Sequence, residues 1–275
     1  MLMSIIIVAY NNGEELVNCI KSIKTYNDLG DDLEIIVIDN SPDDKTYNFI
    51  VNEKGIQYFR NRHNGFGRGN NLGFDKSLGR YLLFLNPDTL IIKPCFKKMI
   101  ELYDSKADCG IVGFKLVDLQ GKENYSFNFR FKSGLMWKVF LKIFRKFGIF
   151  IHSIMYTTGA DILIDRNTFL RIGKFDENIF MYSEEADLAF RVNTIGKRGY
   201  YYNSIKIIHL QGMSNQQNLD IMQKRMWESI VYCAKKHGIN YKKHIKKEID
   251  TMKLINLFKR RYSKELIEFL STYLD

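Results

Sequence analysis

The stretch Tyr81-Leu82-Leu83-Phe84-Leu85-Asn86-Pro87-Asp88-Thr89 decides the predicted fold of this 275-residue chain, because an apolar run stops there at a proline. Five consecutive apolar residues are typical of a strand buried on both faces of a parallel sheet. Proline ends the strand, so Asp88 leaves the sheet at its carboxyl edge, where open α/β sheets bind ligands. A carboxylate there can hold a divalent ion against a diphosphate. The alternative is a simple Asn-Pro-Asp turn in which Thr89 caps the next element of the chain.

The first ninety residues alternate between strand and helix patterns, which indicates parallel βαβ units and an α/β fold. Apolar runs predict strands at residues 5–9, 33–38, 56–59 and 81–85, with helices at 13–23, 47–52 and 71–78 between them. Beyond residue 90 we expect helices at 96–103 and 183–194, strands at 110–116, 157–166 and 205–210, and helix from about residue 217 onward.

Polar residues also follow the first two predicted strands, at Tyr10 and Asp39. Parallel strands end at one edge of a sheet, so these residues are predicted to lie near Asp88. A carboxylate at Asp39 can accept a hydrogen bond from a nucleotide base, and Tyr10 can stack on that base. The alternatives are that Asp39 caps the turn at Ser41 and that Tyr10 lies at the edge of the core.

A glycine-rich segment, residues 64–73, follows the third predicted strand. It fits neither the dinucleotide fingerprint nor the P-loop motif. Closely spaced glycines allow the backbone to approach a ligand, the amides at a following helix start can face phosphate, and Arg68 adds a cation. A flexible turn is the alternative.

The most acidic cluster is Tyr-Ser-Glu-Glu-Ala-Asp-Leu-Ala-Phe-Arg at residues 182–191. Ser183 is suited to cap a helix there, and Asp187 is spaced for an ion pair with Arg191. A catalytic interpretation is a general base, since a hydroxyl that attacks an anomeric carbon needs a carboxylate within hydrogen-bond reach. Farther on, His209 ends a predicted strand and is either structural or a partner of a metal-bound diphosphate.

Charge and cysteine content limit the classes of protein. The net charge of +10 is concentrated in residues 235–264, where eleven Lys or Arg face two acids, and in residues 125–160, which contain no acid. Such patches point to a polyanionic surface, either nucleic acid or anionic lipid. Four cysteines without a C-x-x-C pair favour reduced thiols in a cytoplasmic protein. The sequence predicts neither a signal peptide nor a membrane-spanning helix.

Residues 135–147 combine apolar and aromatic residues with cations at positions 138, 142, 145 and 146. At helical spacing these cations form one stripe, which is typical of a helix that lies in a membrane interface with its cations toward anionic headgroups. The alternative is a helix packed on the domain, with its cations in solvent. The basic carboxyl-terminal segment adds a second electrostatic contact, or is a solvated helical face.

Taken together, these segments resemble the inverting family 2 glycosyltransferases, particularly their bacterial rhamnosyltransferase-like branch. The resemblance runs in order from about residue 4 to residue 214. Its motifs are V-A-Y-N-N, V-I-D-N-S-P-D-D, N-G-F-G-R-G-N-N-L-G, L-N-P-D-T, T-G-A-D-I-L-I-D-R, F-D-E-N-I-F-M-Y-S-E-E-A-D-L-A-F-R and H-L-Q-G-M-S. The resemblance implies the GT-A fold, an α/β domain with a mostly parallel sheet flanked by helices.

The resemblance also implies a donor site for a dTDP- or UDP-linked sugar in the amino-terminal half. Tyr10 and Asp39 would contact the nucleotide base, and Arg68 and Asn71 the diphosphate or ribose. Asn86 and Asp88 correspond to the family's D-x-D metal motif. Mg²⁺ or Mn²⁺ is the implied cofactor, with Asp88 and His209 as its ligands. Because Asn86 replaces the first acid of D-x-D, we expect weaker metal binding.

On the acceptor side, Glu185 corresponds to the catalytic base of the family, and Gly159, Ala160 and Asp161 belong to the T-G-A-D motif. Glu185 replaces the usual aspartate and reaches about 1 Å farther, a change that can cost roughly a hundredfold in rate if nothing compensates. Asp187 and Glu184 are therefore alternative bases.

We expect a GT-A domain at residues 1–215 and a basic helical extension at 216–275. The domain would divide into a donor half at 1–90 and an acceptor half at 91–215, the latter containing the amphipathic segment 130–156. The predicted function is glycosyl transfer to a lipid-linked or oligosaccharide acceptor of a surface polysaccharide or lipo-oligosaccharide, on the inner face of the cell membrane. The oligomeric state is not predicted.

Two other functions compete with this prediction. A sugar nucleotidyltransferase shares the α/β sheet, but it needs a basic glycine-rich loop after the first strand, where this chain has Tyr10-Asn11-Asn12-Gly13. A nucleic-acid-binding protein would explain the isoelectric point of about 9.2. It would not explain acids and a histidine gathered at strand ends, and no nucleic-acid-binding motif is present.

Overall fold

The computed structural model of the chain describes residues 1–61, 65–210, 219–259 and 261–275. Strands and helices alternate through its first half, and helices predominate at the carboxyl end. The strands are β1 Met3–Ala9, β2 Leu33–Asp39, β3 Gln57–Arg60, β4 Tyr81–Leu85, β5 Thr89–Ile91, β6 Cys109–Val117, β7 Phe127–Phe129, β8 Met155–Thr157, β9 Asp161–Asp165 and β10 Arg198–His209. The helices are α1 Glu14–Thr25, α2 Lys45–Ile50, α3 Phe66–Lys76, α4 Phe96–Asp104, α5 Leu135–Phe147, α6 Arg166–Arg171, α7 Glu184–Thr194, α8 Leu219–Lys236, α9 Tyr241–Phe258 and α10 Lys264–Ser271.

The main sheet has the strand order β3-β2-β1-β4-β9-β6-β10-β5. β1 pairs in parallel with β2 and β4, β2 pairs in parallel with β3, and β10 pairs in parallel with β6. β9 runs antiparallel to β4 and β6, and β5 runs antiparallel to β10. The predicted mostly parallel sheet is therefore confirmed.

Apolar layers cover both faces of this sheet. Ile5 and Ile7 of β1 pack on one side with α1 and α4, whereas Ile6 and Val8 pack on the other side with α3, α6 and α7. Successive side chains of a strand point to opposite faces, so burial of both faces requires the continuous apolar runs seen in the sequence.

Four differences from the predicted elements concern the site. α3 begins at Phe66, five residues earlier than predicted, and β10 begins at Arg198, seven residues earlier. The strand predicted at residues 157–166 is interrupted at 158–160, between the end of β8 and the start of β9. β5 lies where no strand is predicted. β5 is only three residues long, and a register shift between Tyr202 and Lys206 interrupts the pattern of β10. Short or bulged strands lack the sustained periodicity on which such predictions depend.

Two smaller units flank the main sheet. The hairpin-like pair of β7 and β8 packs its buried Phe127, Phe129 and Met155 against α5. Helices α8, α9 and α10 share an apolar cluster of their own that includes Trp227 and Ile245. No helix in the described part of the chain is long and apolar enough to cross a membrane.

Candidate active site

The turn after β4 brings Asp88 next to His209. The amide and hydroxyl of Thr89 donate to the Asn86 carbonyl, at 3.3 and 2.8 Å, and close the turn. Thr89 then pairs with His209 across β5 and β10, and the Leu210 amide donates to the Asp88 carbonyl at 3.0 Å. Asp88 Oδ1 consequently lies 3.3 Å from His209 Nε2. The predicted turn and the predicted proximity of these two residues are both present.

The chemistry of this pair fits a divalent cation. A carboxylate oxygen and an imidazole nitrogen lie 3.3 Å apart, both on partly exposed side chains. Such a donor set suits Mn²⁺ and, less well, Mg²⁺, for which oxygen ligands are preferred. The amide nitrogen of Asn86 lies 3.5 Å from His209 Nε2, in the place where an acid would supply a second carboxylate. Asp88 is therefore the carboxylate ligand that this turn offers.

A second group of metal-type ligands, Asp187, Cys233 and His237, does not suit a metal. The guanidinium of Arg191 donates to Asp187 Oδ2 at 2.6 and 2.8 Å, and Lys236 Nζ lies 2.7 Å from Oδ1. Burial raises the pKa of the Cys233 thiol to about 12, which favours the neutral thiol over the thiolate that binds metals. The group is an ion-pair network, and the predicted pair of Asp187 with Arg191 is confirmed.

The corner at Gly159 and Ala160 joins the turn after β4 to Glu185. Because β9 runs antiparallel to β4, the Asn86 amide donates to the Ala160 carbonyl at 3.0 Å. On the other side of the corner, the Gly159 amide donates to Glu185 Oε1 at 2.8 Å. A Cβ at Gly159 would lie 2.8 Å from that oxygen, so any other residue here would displace the Glu185 carboxylate. The corner thus links residues predicted for the donor, the acceptor and the base.

The three acids predicted as possible bases have different surroundings. Glu184 is 2% exposed, and burial together with the charge of Glu185 raises its pKa well above the ordinary value. Burial also acts to raise the pKa of Asp187. The charge of Arg191 and the hydrogen bonds from Lys236, Arg191 and His237 lower it by more, so the pKa of Asp187 lies below its ordinary value. Glu185 is half-buried, and burial raises its pKa. Among the three, Glu185 alone combines partial exposure with a carboxylate that no cation occupies.

Comparison with known proteins identifies the family. Residues 4–173 match the sequence model of glycosyl transferase family 2. The chain belongs to this family. The glycosyltransferase is 25% identical over 232 residues to the rhamnosyltransferase WbbL of Escherichia coli K12, a match that covers 78% of this chain and 86% of WbbL. The resemblance to the rhamnosyltransferase-like branch is confirmed.

Solved structures show the same fold. The mannosyltransferase PcManGT of Pyrobaculum calidifontis, in complex with GDP-Man and Mn²⁺, superposes with a TM-score of 0.62 at 11% identity, covering 98% of this glycosyltransferase and 79% of that chain. GalNAc-T7 with UDP, GalNAc and Mn²⁺ gives a TM-score of 0.63 at 16% identity, covering 86% of this chain but only 48% of GalNAc-T7. The GT-A fold implied by the sequence resemblance is confirmed.

Asp39, which is predicted to contact the nucleotide base, stabilises the turn that comes after β2. Its side chain is fully buried, Oδ1 accepts from the Ser41 amide at 2.9 Å, and Oδ2 accepts from the Tyr58 hydroxyl at 2.8 Å. The capping function is therefore present, and contact with a base stays a prediction. Tyr10 is half-buried, and its amide donates to the side chain of Asn12 at 2.8 Å.

The glycine-rich segment is helical where it is described, from Phe66 onward; Asn64 lies outside the described residues, as do residues 211–214 of the last motif. A Cβ at Gly69 would collide with Val8, and one at Gly73 would collide with Ile6. These glycines let α3 lie close against β1. The alternative of a flexible turn is wrong for these two glycines, because glycine spacing does not distinguish close helix packing from a loop. Phosphate contact by the amides at the start of α3 stays a prediction.

The side chains of Arg68 and Asn71 on α3 both contact the segment that leads toward α7. Asn71 donates to the Phe175 carbonyl and to Glu177 Oε1, each at 3.0 Å, and accepts from the Phe175 amide at 3.0 Å. Arg68 Nε lies 3.3 Å from Glu177 Oε2, and both side chains are about half exposed. Asn71 is thus a structural residue, whereas Arg68 forms an exposed ion pair, and contact of either residue with a diphosphate or ribose stays a prediction.

The prediction that Ser183 caps α7 is wrong. Ser183 occupies the N-cap position of α7, but its φ is +74° and its side chain makes no capping hydrogen bond.

Asp161, which is predicted to lie on the acceptor side, is fully buried. Its Oδ2 accepts from the Phe114 amide at 2.7 Å, and burial raises its pKa well above the ordinary value. Asp161 thus links β9 to β6 through the Phe114 amide and offers no surface to an acceptor.

Residues that sequence reasoning missed come from the carboxyl-terminal extension. Lys236 and His237 both bind the Asp187 carboxylate, at 2.7 and 2.8 Å. They follow Asp187 by about fifty positions and belong to a segment recognised only for its positive charge. No local pattern relates residues so far apart, so an interaction with the acidic cluster could not be predicted.

Proposed function

We propose that this glycosyltransferase is an inverting enzyme that moves a sugar from a dTDP- or UDP-linked donor to a glycan acceptor in cell-surface polysaccharide or lipo-oligosaccharide synthesis. The supporting observation is the corner at Gly159 and Ala160, which is hydrogen-bonded to the Asn86 turn on one side and to Glu185 on the other. Similarity to the rhamnosyltransferase WbbL favours rhamnose as the sugar, and the fold neighbours that bind UDP or GDP-Man leave a hexose as the second candidate.

In the proposed reaction, an acceptor hydroxyl attacks the anomeric carbon from the side opposite the diphosphate. The new carbon–oxygen bond forms as the bond to the diphosphate breaks, the leaving oxygen takes the electron pair, and the hydroxyl proton passes to Glu185. The Gly159 amide holds Glu185 Oε1 in place. Asp88 and His209 would hold Mg²⁺ or Mn²⁺, which when bound supplies positive charge to the leaving diphosphate.

The donor would lie across the ends of β1, β2 and β4, in the half of the molecule formed by residues 1–90. We assign the base to Tyr10 and Asp39, and the diphosphate or ribose to Arg68 and Asn71. Asp39 and Asn71 are already hydrogen-bonded within the protein, so Tyr10 and Arg68, which are more exposed, carry this assignment further. The acceptor half would then be residues 91–215, and the extension residues 216–275.

Binding of nucleotide-diphosphate sugars with Mn²⁺ tests the proposal directly. We expect dTDP-rhamnose or a UDP-hexose at a hundredfold excess over its Kd to stabilise the fold by about 2.7 kcal/mol, which raises the melting temperature by several degrees. The shift should shrink when a chelator replaces Mn²⁺. A thermal-shift screen measures this, with nucleoside monophosphates as the control. Absence of a shift with every nucleotide sugar, or an equal shift with the monophosphates, would argue against a diphosphate-sugar site.

Helix α5 supports attachment to an anionic membrane, although not in the orientation that the sequence predicts. Lys138 is bound to Glu248 at 2.7 Å, and Arg145 donates to the Phe127 carbonyl at 2.6 and 2.9 Å. These two cations face the protein, so the prediction of one outward basic stripe is wrong for them. Lys142 and Lys146 remain exposed.

The outward face of α5 is instead apolar. Its exposed residues recur at helical spacing, and the exposed apolar surface continues just beyond the helix. They are Leu135, Met136, Val139, Phe140, Ile143, Phe147, Ile149 and Ile151. A contiguous apolar stripe flanked by lysines is typical of a helix that lies in a membrane interface. We infer peripheral attachment to the cytoplasmic face of the cell membrane, where a lipid-linked acceptor would be within reach.

Replacing Met136 and Phe147 with serine should weaken binding to anionic vesicles about tenfold or more, because these side chains are 58% and 66% exposed and would lose their burial in lipid. Vesicle flotation at low and high salt measures this. Leu119→Ser is the matched control, because Leu119 is 64% exposed in a turn that does not belong to α5. Equal binding of the double variant and the control variant would exclude α5 as the membrane contact.

A further inference from the structure

The segment at residues 175–183 lies between two helices and leads directly into α7, which carries Glu185. On one side, α3 binds its beginning through Asn71 and Arg68. On the other side it meets α8, in the carboxyl-terminal extension. The conformation of this segment sets the position from which α7 starts.

One face of α8 contacts the segment along its length. Ser229 donates to the Met181 carbonyl at 2.8 Å, and the Tyr232 hydroxyl donates to Asp176 Oδ2 at 3.0 Å. Lys236 Nζ donates to the same Asp176 oxygen at 2.7 Å. Residues 229, 232 and 236 are spaced by three and four, so these groups lie on one side of the helix. Arg225, four residues before Ser229, covers the Phe180 ring at 5.2 Å.

Lys236 connects the segment to α7 through a single ammonium group. Its Nζ lies 2.7 Å from Asp176 and 2.7 Å from the buried carboxylate of Asp187. Burial raises the pKa of Asp176, but hydrogen bonds from Lys236 and Asn178 lower it to about 2. Both carboxylates are therefore charged at neutral pH, and the ammonium is the group that binds them together.

The segment ends in two strained residues. Tyr182 and Ser183 have φ values of +69° and +74°, in the left-handed region that non-glycine residues avoid. A conformation of this kind persists only where surrounding contacts impose it. The carbonyl that Ser229 binds belongs to Met181, the residue immediately before Tyr182, and Glu184 and Glu185 follow directly.

We propose that α8 is a positioning element of the active site, in which Lys236 and Ser229 hold Tyr182 and Ser183 in the left-handed conformation and so aim Glu185 at the Gly159 corner. This inference rests on the proposed function of Glu185 as the base. It assigns to the carboxyl-terminal extension a part in catalysis that is separate from the electrostatic membrane contact predicted for its basic residues. If α8 served stability alone, weakening its contacts would change the melting temperature and not the turnover of folded enzyme.

Lys236→Met removes the ammonium and keeps the apolar stem. We expect kcat to fall about ten- to a hundredfold, with KM for the donor within about twofold, because a misplaced base slows the chemical step without disturbing donor binding. Lys236→Arg should retain most activity, since a guanidinium can still bind both carboxylates. Lys242→Met is the matched control, because Lys242 is also in the extension but binds the carbonyls of Leu274 and Asp275.

A glycine at position 183 should restore activity to Lys236→Met if α8 acts by imposing the left-handed conformation, and it should not if α8 serves stability alone. Glycine adopts positive φ without strain, so adding Ser183→Gly to Lys236→Met should restore kcat at least about fivefold. Melting temperatures and circular dichroism identify the folded variants, and Ser229→Ala, a milder change, gives the same comparison if Lys236→Met unfolds. Unchanged kcat in folded Lys236→Met and Ser229→Ala, or no rescue by glycine, would overturn the inference.

The Glu185→Gln variant separates this inference from the proposed function. If Glu185→Gln is inactive but Lys236→Met is fully active, the positioning inference is wrong and the base assignment stands. If Glu185→Gln is active, the base assignment is wrong, and the inference that α8 positions Glu185 for catalysis is overturned with it.

Discussion

Glu185→Gln is expected to lower kcat by about 10²- to 10⁴-fold, the usual contribution of a general base, and to leave donor binding unchanged. The amide keeps the shape of the side chain and can still accept the hydrogen bond that the Gly159 amide gives to Oε1. It cannot accept the proton of an attacking hydroxyl. Steady-state kinetics with a nucleotide-sugar donor measure kcat, and a thermal shift with the same donor reports binding.

The neighbouring Glu184→Gln is the control for this prediction. Glu184 is 2% exposed, and burial raises its pKa well above the ordinary value and so favours its neutral form. A neutral isostere should therefore leave turnover within a few-fold of the parent enzyme. Full activity in Glu185→Gln together with loss of activity in Glu184→Gln would reverse the assignment of the two residues.

The pH dependence of kcat provides a second measurement of the same base. Burial raises the pKa of Glu185 above the ordinary glutamate value. A base acts only when deprotonated, so activity should be full above this raised pKa and fall as the pH drops through it. The acidic limb should therefore lie at higher pH than an exposed glutamate would give, and it should be lost from the residual rate of Glu185→Gln.

Asp88→Asn is expected to lower metal-dependent turnover by about 10²- to 10³-fold, comparable with the loss of one preorganised electrostatic contact to a developing charge. The effect is large because Asn86 is uncharged, which leaves Asp88 as the carboxylate beside His209 in this turn. Titration of activity with Mn²⁺ and Mg²⁺ measures it, and the variant should need more metal for half-maximal rate.

Two variants complete the metal experiment. Asp118→Asn changes an exposed turn in which the carboxylate accepts backbone amides, and it should leave the metal titration unchanged. Asn86→Asp adds the missing carboxylate and should lower the Mn²⁺ concentration required. An unchanged metal titration in Asp88→Asn would remove Asp88 from the site.

Much of the fold could be predicted because strong local signals agreed with one another. The apolar runs of β1, β2 and β4 are long enough to identify buried strands, and Pro87 marks where β4 must stop. From parallel order alone, Tyr10, Asp39 and Asp88 are expected at one edge. Parallel pairing of β1 with β2 and β4 confirms that expectation.

The features that could not be predicted depended on distant contacts. Serine is a residue type that often caps helices, but contacts that include α8 hold the backbone of Ser183 in the left-handed conformation. Gly69 and Gly73 belong to a glycine-rich segment that is expected to approach a ligand, yet they accommodate the side chains of β1. Lys138 and Arg145 lie on the stripe that helical periodicity gives them, but Glu248 and the Phe127 carbonyl draw them inward. In each case tertiary contacts outweighed the local preference.

The three-residue strand β5 has a consequence for how the enzyme is assembled. It places Thr89 opposite His209, so the two halves of the proposed ion site lie some 120 residues apart in the chain. During synthesis the first ninety residues can emerge and collapse, but their turn lacks its histidine until β10 has inserted between β5 and β6. At the proposed site, metal affinity would therefore be acquired late, as a property of the finished sheet. The proposed donor half alone would be unable to sequester the ion or hydrolyse sugar nucleotide before the proposed acceptor half exists.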